Sequence, residues 1–356
     1  MTLKIAVVGC GKVADQHLRE IRKLRNASVV AVCDREPLMA EQLAFRYGIP
    51  RHYADFESML EQTVPDVVHV NTPPQTHLRL ATKALDAGCH VFVEKPLTVD
   101  SKDAEYLIEY AERKNRKLTI GYIYHFDPVM RALREMVESG VLGEIVHLES
   151  FLTYDLNGPF GGAVVKDDEH WVRQLPGGLV QNIIDHLLSN VIEFIPDEGA
   201  RISVDAWEGP DSLGLPSELR ITVRGGGASA YVTLSSHARP LVHRLTVFGS
   251  KNTAHLDFVA RCISLESAPK LPGALARLYK PFDQARQYLL QGGRNLLRFA
   301  RSDYQYFAGL NFLLSAFYNC IAEEGPVPVP YDYILRLSRM MDEVILQMRD
   351  PRSIYQ

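Results

Sequence analysis

Cysteine is scarce and scattered. Cys10, Cys33, Cys89, Cys262 and Cys320 are the only five in a chain of 356 residues, and no two form a Cys-x-x-Cys pair. That excludes a disulfide framework and a thiolate zinc site, and no metal is expected. No apolar run reaches the ~18 residues of a membrane span. The opening MTLKIAVVGCGK has no basic region, long apolar region or cleavage site, so it does not read as a secretory signal. A cytoplasmic protein is the expectation. The formal net charge is only −4, which gives no reason to expect nucleic acid as a partner. Internal repeats and low-complexity tracts are also absent. What remains is a chain with 46% apolar and 23% charged residues, a globular composition, whose length calls for two domains.

The first third alternates strand and helix. KIAVVGC (4–10), VVAVCD (29–34), DVVHVNT (66–72), HVFVE (90–94) and LTIGYIY (118–124) are short apolar runs. Stretches of helical spacing separate them at 12–24, 36–48, 75–87 and 101–115. Such alternation implies βαβ units and a parallel sheet over residues 1–122. Ligands of these sheets sit beyond the carboxyl ends of the strands. Those ends are Gly9–Lys12, Asp34, Asn71–Thr72 and Glu94–Lys95.

The turn GCGKVA places Gly9 and Gly11 between the first strand and a helix opened by Lys12 and Val13, with Ala14 the small residue where helix meets strand. Gly9 permits a tight turn, and Gly11 lets the backbone approach a pyrophosphate at the helix N-terminus. Asp34 ends the second strand, near the spacing expected of a ribose-binding acid. A carboxylate there repels a 2′-phosphate and favours NAD(H). Arg35 follows directly and counters that repulsion, so NADP(H) stays open.

From about residue 144 the pattern changes. Stretches at 144–154, 201–208, 218–224, 229–236, 241–249 and 253–258 read as strands joined mostly by short turns. They imply a large, mostly antiparallel open sheet. With helices at 129–139, 178–194, 305–323 and 331–349, residues 123–356 form an α+β domain. Its uncovered sheet face is a surface for a homodimer or homotetramer.

The stretch NTPPQTHLRLATKALDAGCHVFVEKPLT (71–98), with the glycine turn and WVRQLPGG (171–178), resembles the Gfo/Idh/MocA oxidoreductases, the glucose–fructose oxidoreductase and inositol dehydrogenase superfamily. The resemblance covers nearly the whole chain except about 260–301. It implies that Lys95 is the active-site acid/base, with Pro96 fixing the chain behind it. Glu94, Thr72 and Pro73 then belong to the cofactor side. His77 either contacts the cofactor or packs against the Pro73–Pro74 turn. Relatives often carry Asp-x-x-x-His after Gly-Gly; here Gly177 and Gly178 precede Asn182 and His186, which i,i+4 spacing puts on one helical face. Asn182 can hydrogen-bond a hydroxyl but cannot take its proton, whereas His186 can. His125 stands where many relatives differ, and Tyr154, Trp171 and Arg173 are further substrate-side candidates.

The resemblance implies an oxidoreductase acting on a secondary hydroxyl or ketone of a sugar, nucleotide sugar or polyol. Two alternatives stand beside it: a reductase of a non-sugar ligand, and an NAD-binding regulator without turnover. Residues 270–301 carry Lys270, Arg277, Lys280, Arg286, Arg294, Arg298 and Arg301 against Asp283, with leucines and Phe299 interleaved. The plain reading is a solvated or interface segment. The sharper one is docking on an acidic surface, either a membrane, a lipid-linked sugar or a protein.

Overall fold

The computed structural model describes residues 2–158, 161–196, 199–208, 217–268, 271–301 and 308–349. Two compact units emerge. One comprises Met1–Ile123 and Gly309–Arg339, the other Tyr124–Ala308 and Met340–Gln356.

The first unit runs β1 (Leu3–Val8), α1 (Lys12–Ile21), β2 (Ala27–Cys33), α2 (Pro37–Tyr47), β3 (His52–Tyr53), α3 (Phe56–Thr63), β4 (Val67–Val70), α4 (His77–Asp86), β5 (His90–Val93), α5 (Ser101–Arg113) and β6 (Leu118–Ile120). All strand pairs are parallel, in the order β3-β2-β1-β4-β5-β6. Strands β1, β4, β5 and β6 are mostly apolar and almost wholly buried, as a helix-covered parallel sheet requires. Short acids set helix starts. Asp55 accepts from Ser58 N at 2.7 Å, and Asp100 from Asp103 N at 2.9 Å. The strand order reverses between β1 and β4, which opens a crevice at their carboxyl ends.

Three features differ from the sequence expectation. The short β3 and α3 were not anticipated; two residues of strand carry no readable period. The last strand stops at Ile120, because Tyr122 N and Ile123 N turn back to Ile120 O and Gly121 O, each at 2.8 Å. Gly309–Arg339 packs with the first unit rather than the second. Lys117 Nζ donates to Gly325 O at 2.9 Å, and Tyr331 Oη accepts from Leu118 N at 3.1 Å.

The second unit holds α6 (Pro128–Glu138), β7 (Ile145–Thr153), α7 (Gly161–Lys166), α8 (Gly178–Ile183), α9 (Asp185–Ile192), β8 (Arg201–Trp207), β9 (Glu218–Gly225), β10 (Ala228–Ser235), β11 (His243–Gly249), β12 (Asn252–Asp257), β13 (Cys262–Ser267) and α10 (Gly273–Ala300). α11 (Ala308–Ala322) belongs almost wholly to the first unit, and α12 (Tyr331–Met348) is shared. The sheet order is β13-β12-β11-β7-β10-β9-β8, antiparallel except for β7 with β10. α9 packs on β7 and β10 and α6 on β12 and β13, and Leu148, Leu152, Val232, Leu245 and Val247 of the sheet are buried. The other face keeps Tyr231, Trp207 and Arg244 exposed. The helix expected over 178–194 divides at Ile184 into α8 and α9, although Ile184 keeps right-handed helical angles.

β13 and α10 were not legible in the sequence. β13 ends the sheet, and its edge is closed by amide side chains. Leu265 N donates to Gln287 Oε1 at 2.8 Å, and Gln287 Nε2 donates to Leu265 O at 2.9 Å. One turn on, Ile263 N donates to Gln291 Oε1 at 2.6 Å, and Gln291 Nε2 returns to Ile263 O. Asn295 then donates to Ala260 O at 3.0 Å. Side chains at i, i+4 and i+8 of the helix thus stand in for a further strand and protect an otherwise open edge. The double substitution Gln287→Ala with Gln291→Ala should speed amide exchange at Ile263 and Leu265 by about tenfold, because each net hydrogen bond contributes ~1 kcal/mol. Unchanged exchange at both amides contradicts the edge-closing role.

Candidate active site

Four strand ends of the first unit meet around the switch point. Gly9 lies at φ +91°, and an added Cβ would stand 2.6 Å from Asn71 O, so only glycine fits. An added Cβ at Gly11 would meet nothing within 4 Å. The backbone leading into α1 is therefore bare and open, next to the first N–H groups of the helix. This is the cradle that a dinucleotide pyrophosphate needs. Lys12 and Val13 begin α1 with their side chains exposed. Asp34 follows β2, and its two carboxylate oxygens accept from Cys10 N at 2.7 Å and Glu36 N at 3.0 Å. Arg35 beside it is exposed.

Asn71 follows β4, and in the sequence only its place at a strand end is visible. Its amide nitrogen and oxygen are both buried and without a hydrogen-bond partner among the described residues. A buried amide left unmatched costs free energy until a ligand engages it. Asn71 thus also fits a bound cofactor. Next to it, Thr72 Oγ1 lies 2.7 Å from the Thr76 hydroxyl, and Pro73 leads into the turn. His77 is fully buried. Its Nε2 lies 2.7 Å from Thr72 O, and its Nδ1 lies 3.0 Å from Pro96 O. The ring staples the Thr72 turn to the Pro96 turn from behind. Burial lowers its pKa, and the carbonyl contacts oppose that shift.

Glu94 and Lys95 follow β5, and the Lys95–Pro96 bond is cis. Glu94 Oε2 accepts from Lys95 N at 3.2 Å, while Oε1 lies 2.8 Å from His17 Nε2. A Cβ on Gly121 would stand 2.8 Å from that same oxygen, so the small residue after β6 leaves room for the carboxylate. Behind Glu94 runs a chain that the sequence reading missed. His17 Nδ1 lies 2.8 Å from His69 Nδ1, and His69 Nε2 lies 2.9 Å from Tyr318 Oη. His17, His69 and Tyr318 are all fully buried. One set of tautomers satisfies every ring nitrogen: the Tyr318 hydroxyl donates to His69, His69 Nδ1–H to His17, and His17 Nε2–H to Glu94. Burial, then His17, holds His69 well below the usual histidine range. For Glu94 burial acts upward, but the His17 hydrogen bond and Lys95 prevail and hold it below the usual carboxylate range.

In the second unit, Asn182 on α8 is nearly buried, and His186 on α9 keeps 23% of its side-chain exposure. His186 Nδ1 lies 3.6 Å from Oδ1 of the fully buried Asp185. Its ring meets Tyr124 edge-on at 4.9 Å, and Tyr124 in turn meets His243 at 4.6 Å. His243 stacks on Phe258 at 4.3 Å, and its Nε2 lies 3.3 Å from Asn190 Nδ2. This aromatic packing holds the His186 ring, and Tyr124 and His243 gave no sequence signal beyond their residue type. His125 lies 3.4 Å from Glu193; burial and then Arg134 lower its pKa to about 4, and Glu193 opposes. Tyr154 is held high by burial and by Asp155. Trp171 stacks on His170 at 5.6 Å. The Arg173 guanidinium is engaged within the unit, donating to Val164 O at 2.7 Å and Val165 O at 3.1 Å and pairing with Asp168 at 3.1 Å. It holds the end of α7.

Three partly or wholly buried histidines, His90, His125 and His243, set an acid limit on stability. His90 and His125 are lowered to about 4 and His243 to about 3, in each case mainly by burial. Unfolded histidines titrate near 6.5, so below that pH the unfolded chain binds more protons than the folded one. Stability should fall by on the order of 2 kcal/mol or more as pH drops from about 6.5 toward 4. His243→Gln keeps a polar partner for Asn190 and should flatten part of that slope in urea titrations. A slope unchanged by the substitution contradicts the assignment.

Two family models match the chain. One, an oxidoreductase family with an NAD-binding Rossmann fold, covers residues 3–122; the other, a GFO/IDH/MocA C-terminal domain, covers 130–255. Among curated proteins, the D-glucoside 3-dehydrogenase of Escherichia coli is 36% identical over 40% of this chain and 41% of its own length. The inositol 2-dehydrogenase of Salmonella typhimurium is 34% identical over 40% of this chain and 44% of its own. The chain thus spans about half the length of the curated relatives it matches. Among solved structures, the WlbA dehydrogenase of Bordetella pertussis, in complex with NADH and UDP-GlcNAcA, aligns over 98% of this chain and 96% of its own with a TM-score of 0.79 at 18% identity, a likeness of fold. The glycine cradle, the strand order and both matched domains agree: the chain belongs to the Gfo/Idh/MocA oxidoreductase family, and its first domain is an NAD-binding Rossmann fold.

Proposed function

We propose that this protein is an NAD(H)-dependent oxidoreductase acting on a secondary hydroxyl or ketone of a sugar, nucleotide sugar or polyol, with Lys95 as acid/base. The observation that carries the reading is Lys95 itself. It stands at the end of β5, in the row of strand ends that also presents the glycine cradle, Asp34 and Asn71. NAD, when bound, accepts or supplies the hydride.

The chain's own residues do the rest. The open backbone at Gly11 and the first N–H groups of α1 hold the pyrophosphate, and Lys12 and Val13 flank it. Asp34 accepts from the ribose hydroxyls, and Arg35 tempers its discrimination against a 2′-phosphate. Asn71, Thr72 and Pro73 line the cofactor side of the crevice, and His77 fixes their turn. Lys95 Nζ takes the hydroxyl proton during oxidation and returns it during reduction. General acid–base catalysis of this kind contributes ~10²–10⁴-fold. Glu94, held by His17, anchors the backbone N–H of Lys95. From the second unit, Asn182 orients a substrate hydroxyl and His186 exchanges a proton. His125, Tyr154 and Trp171 contribute to substrate contact; Arg173, bonded to the Val164 and Val165 carbonyls of α7, supports them. The uncovered face of the large sheet serves self-association into a dimer or tetramer. A non-catalytic, NAD-binding role is the second reading, supported by an amide at Asn182 where relatives often carry an acid.

Absorbance at 340 nm with NAD and a panel of sugars, nucleotide sugars and polyols separates the two readings. Turnover by the parent, lowered ~10²–10⁴-fold in Lys95→Ala with NAD affinity nearly intact, is the expected result. A Lys95→Ala enzyme within threefold of the parent sinks the acid/base assignment. Asp34→Ala should weaken NAD and raise the relative use of NADP; an unchanged ratio counts against its ribose role. His186→Ala should lower kcat more than Asn182→Ala does, with the latter acting mainly through KM. The reverse order overturns the division of roles between them.

A further inference from the structure

α10 is amphipathic the wrong way round for a helix of a globular domain. Its polar side chains, Gln287, Gln291 and Asn295, face inward onto the edge of the sheet. Its apolar side chains face outward: Leu275 is 57% exposed, Leu278 65%, Phe282 73%, Leu289 76%, Leu296 68% and Phe299 70%. In all 28 residues only Ala276 is buried. The six outward side chains follow one stripe along the helix, which at 1.5 Å per residue is about 36 Å long. A stripe of this size left in water marks a docking surface.

Charge identifies what docks. The described stretch from 271 to 301 carries Arg277, Lys280, Arg286, Arg294, Arg298 and Arg301 against Asp283 alone, in a chain of net charge −4. Lys280 pairs with Glu266 and Arg286 with Asp283, whereas the other four arginines form no ion pair among the described residues. A second copy would bring the same positive excess against this one. The residues beside the stripe, Tyr279, Pro281, Tyr288 and Gly293, offer no acid to offset it, unlike the complementary charges that flank a paired-helix seam. Tyr279 and Tyr288 are about half exposed, and tyrosine favours a boundary that is apolar on one side and wet on the other. No described helix is long and apolar enough to cross a bilayer. Basic residues on the faces that flank and oppose an outward apolar stripe suit a helix lying in the plane of an anionic lipid surface.

We propose that α10 is a membrane-docking helix, held rigidly by its amide contacts to β13 while its apolar face enters the headgroup region of an anionic bilayer. The full-length protein should co-float with vesicles containing phosphatidylglycerol and not with vesicles of phosphatidylcholine alone, and salt should weaken the binding. Phe282→Glu with Leu289→Glu should abolish co-flotation. Arg294→Gln with Arg298→Gln should reduce it by about tenfold or more, since each basic residue near the surface contributes several-fold. Thermal midpoint and NADH binding should not change in either variant. A Phe282→Trp protein should shift its emission to the blue when the anionic vesicles are added. Failure to co-float together with an unshifted tryptophan overturns the proposal. So does a change of molar mass in light scattering caused by the glutamate substitutions, which would make α10 a subunit contact instead.

Discussion

The hydrogen-bonded chain from Glu94 through His17 and His69 to Tyr318 is the constraint on which the first unit depends. It ties the end of β5 to the buried face of α1, to the middle of β4 and to α11. Phe92 stacks on His69 at 4.8 Å, so the polar chain runs inside an aromatic core. Groups this deeply buried have to be satisfied, because a single missing partner strands a polar atom without water. The chain also explains why Gly309–Arg339 packs with the Rossmann unit: Tyr318 supplies the last donor. At the other end of the chain, Glu94 accepts from the backbone N–H of Lys95.

The strand ends were readable in the sequence because a parallel strand is an apolar run, and the residues that break the run are the ones at the crevice. Gly9, Asp34, Thr72 and Lys95 all follow such runs. His17, His69 and Tyr318 left no comparable trace. They lie 52 and 249 residues apart pairwise, and neither a histidine on an amphipathic helix nor one inside a strand announces a partner. Asn71 was visible as a position but not as a group; its unmatched amide is a property of packing. In the second unit the strands were legible through their alternation, while the spacing argument for Asn182 and His186 presumed one helix where there are two.

α10 escaped the sequence reading for a physical reason. Helix recognition assumes that the apolar stripe faces the core, and here the amides do. Gln287 and Gln291 give and accept backbone hydrogen bonds as a neighbouring strand would, which frees the leucines to point outward. The same segment therefore closes a sheet edge and exposes an apolar, basic surface.

The central claim is that the carboxyl-end crevice of the parallel sheet holds a dinucleotide on the bare backbone between Gly9 and α1. Titration of the protein with NADH, followed by the enhancement of nicotinamide fluorescence, tests it most directly. One saturable site, lost in Gly9→Val and weakened in Asn71→Leu while both variants keep the parent's circular dichroism, is the predicted result. No saturable binding by the parent, or unchanged binding by a folded Gly9→Val protein, contradicts the account.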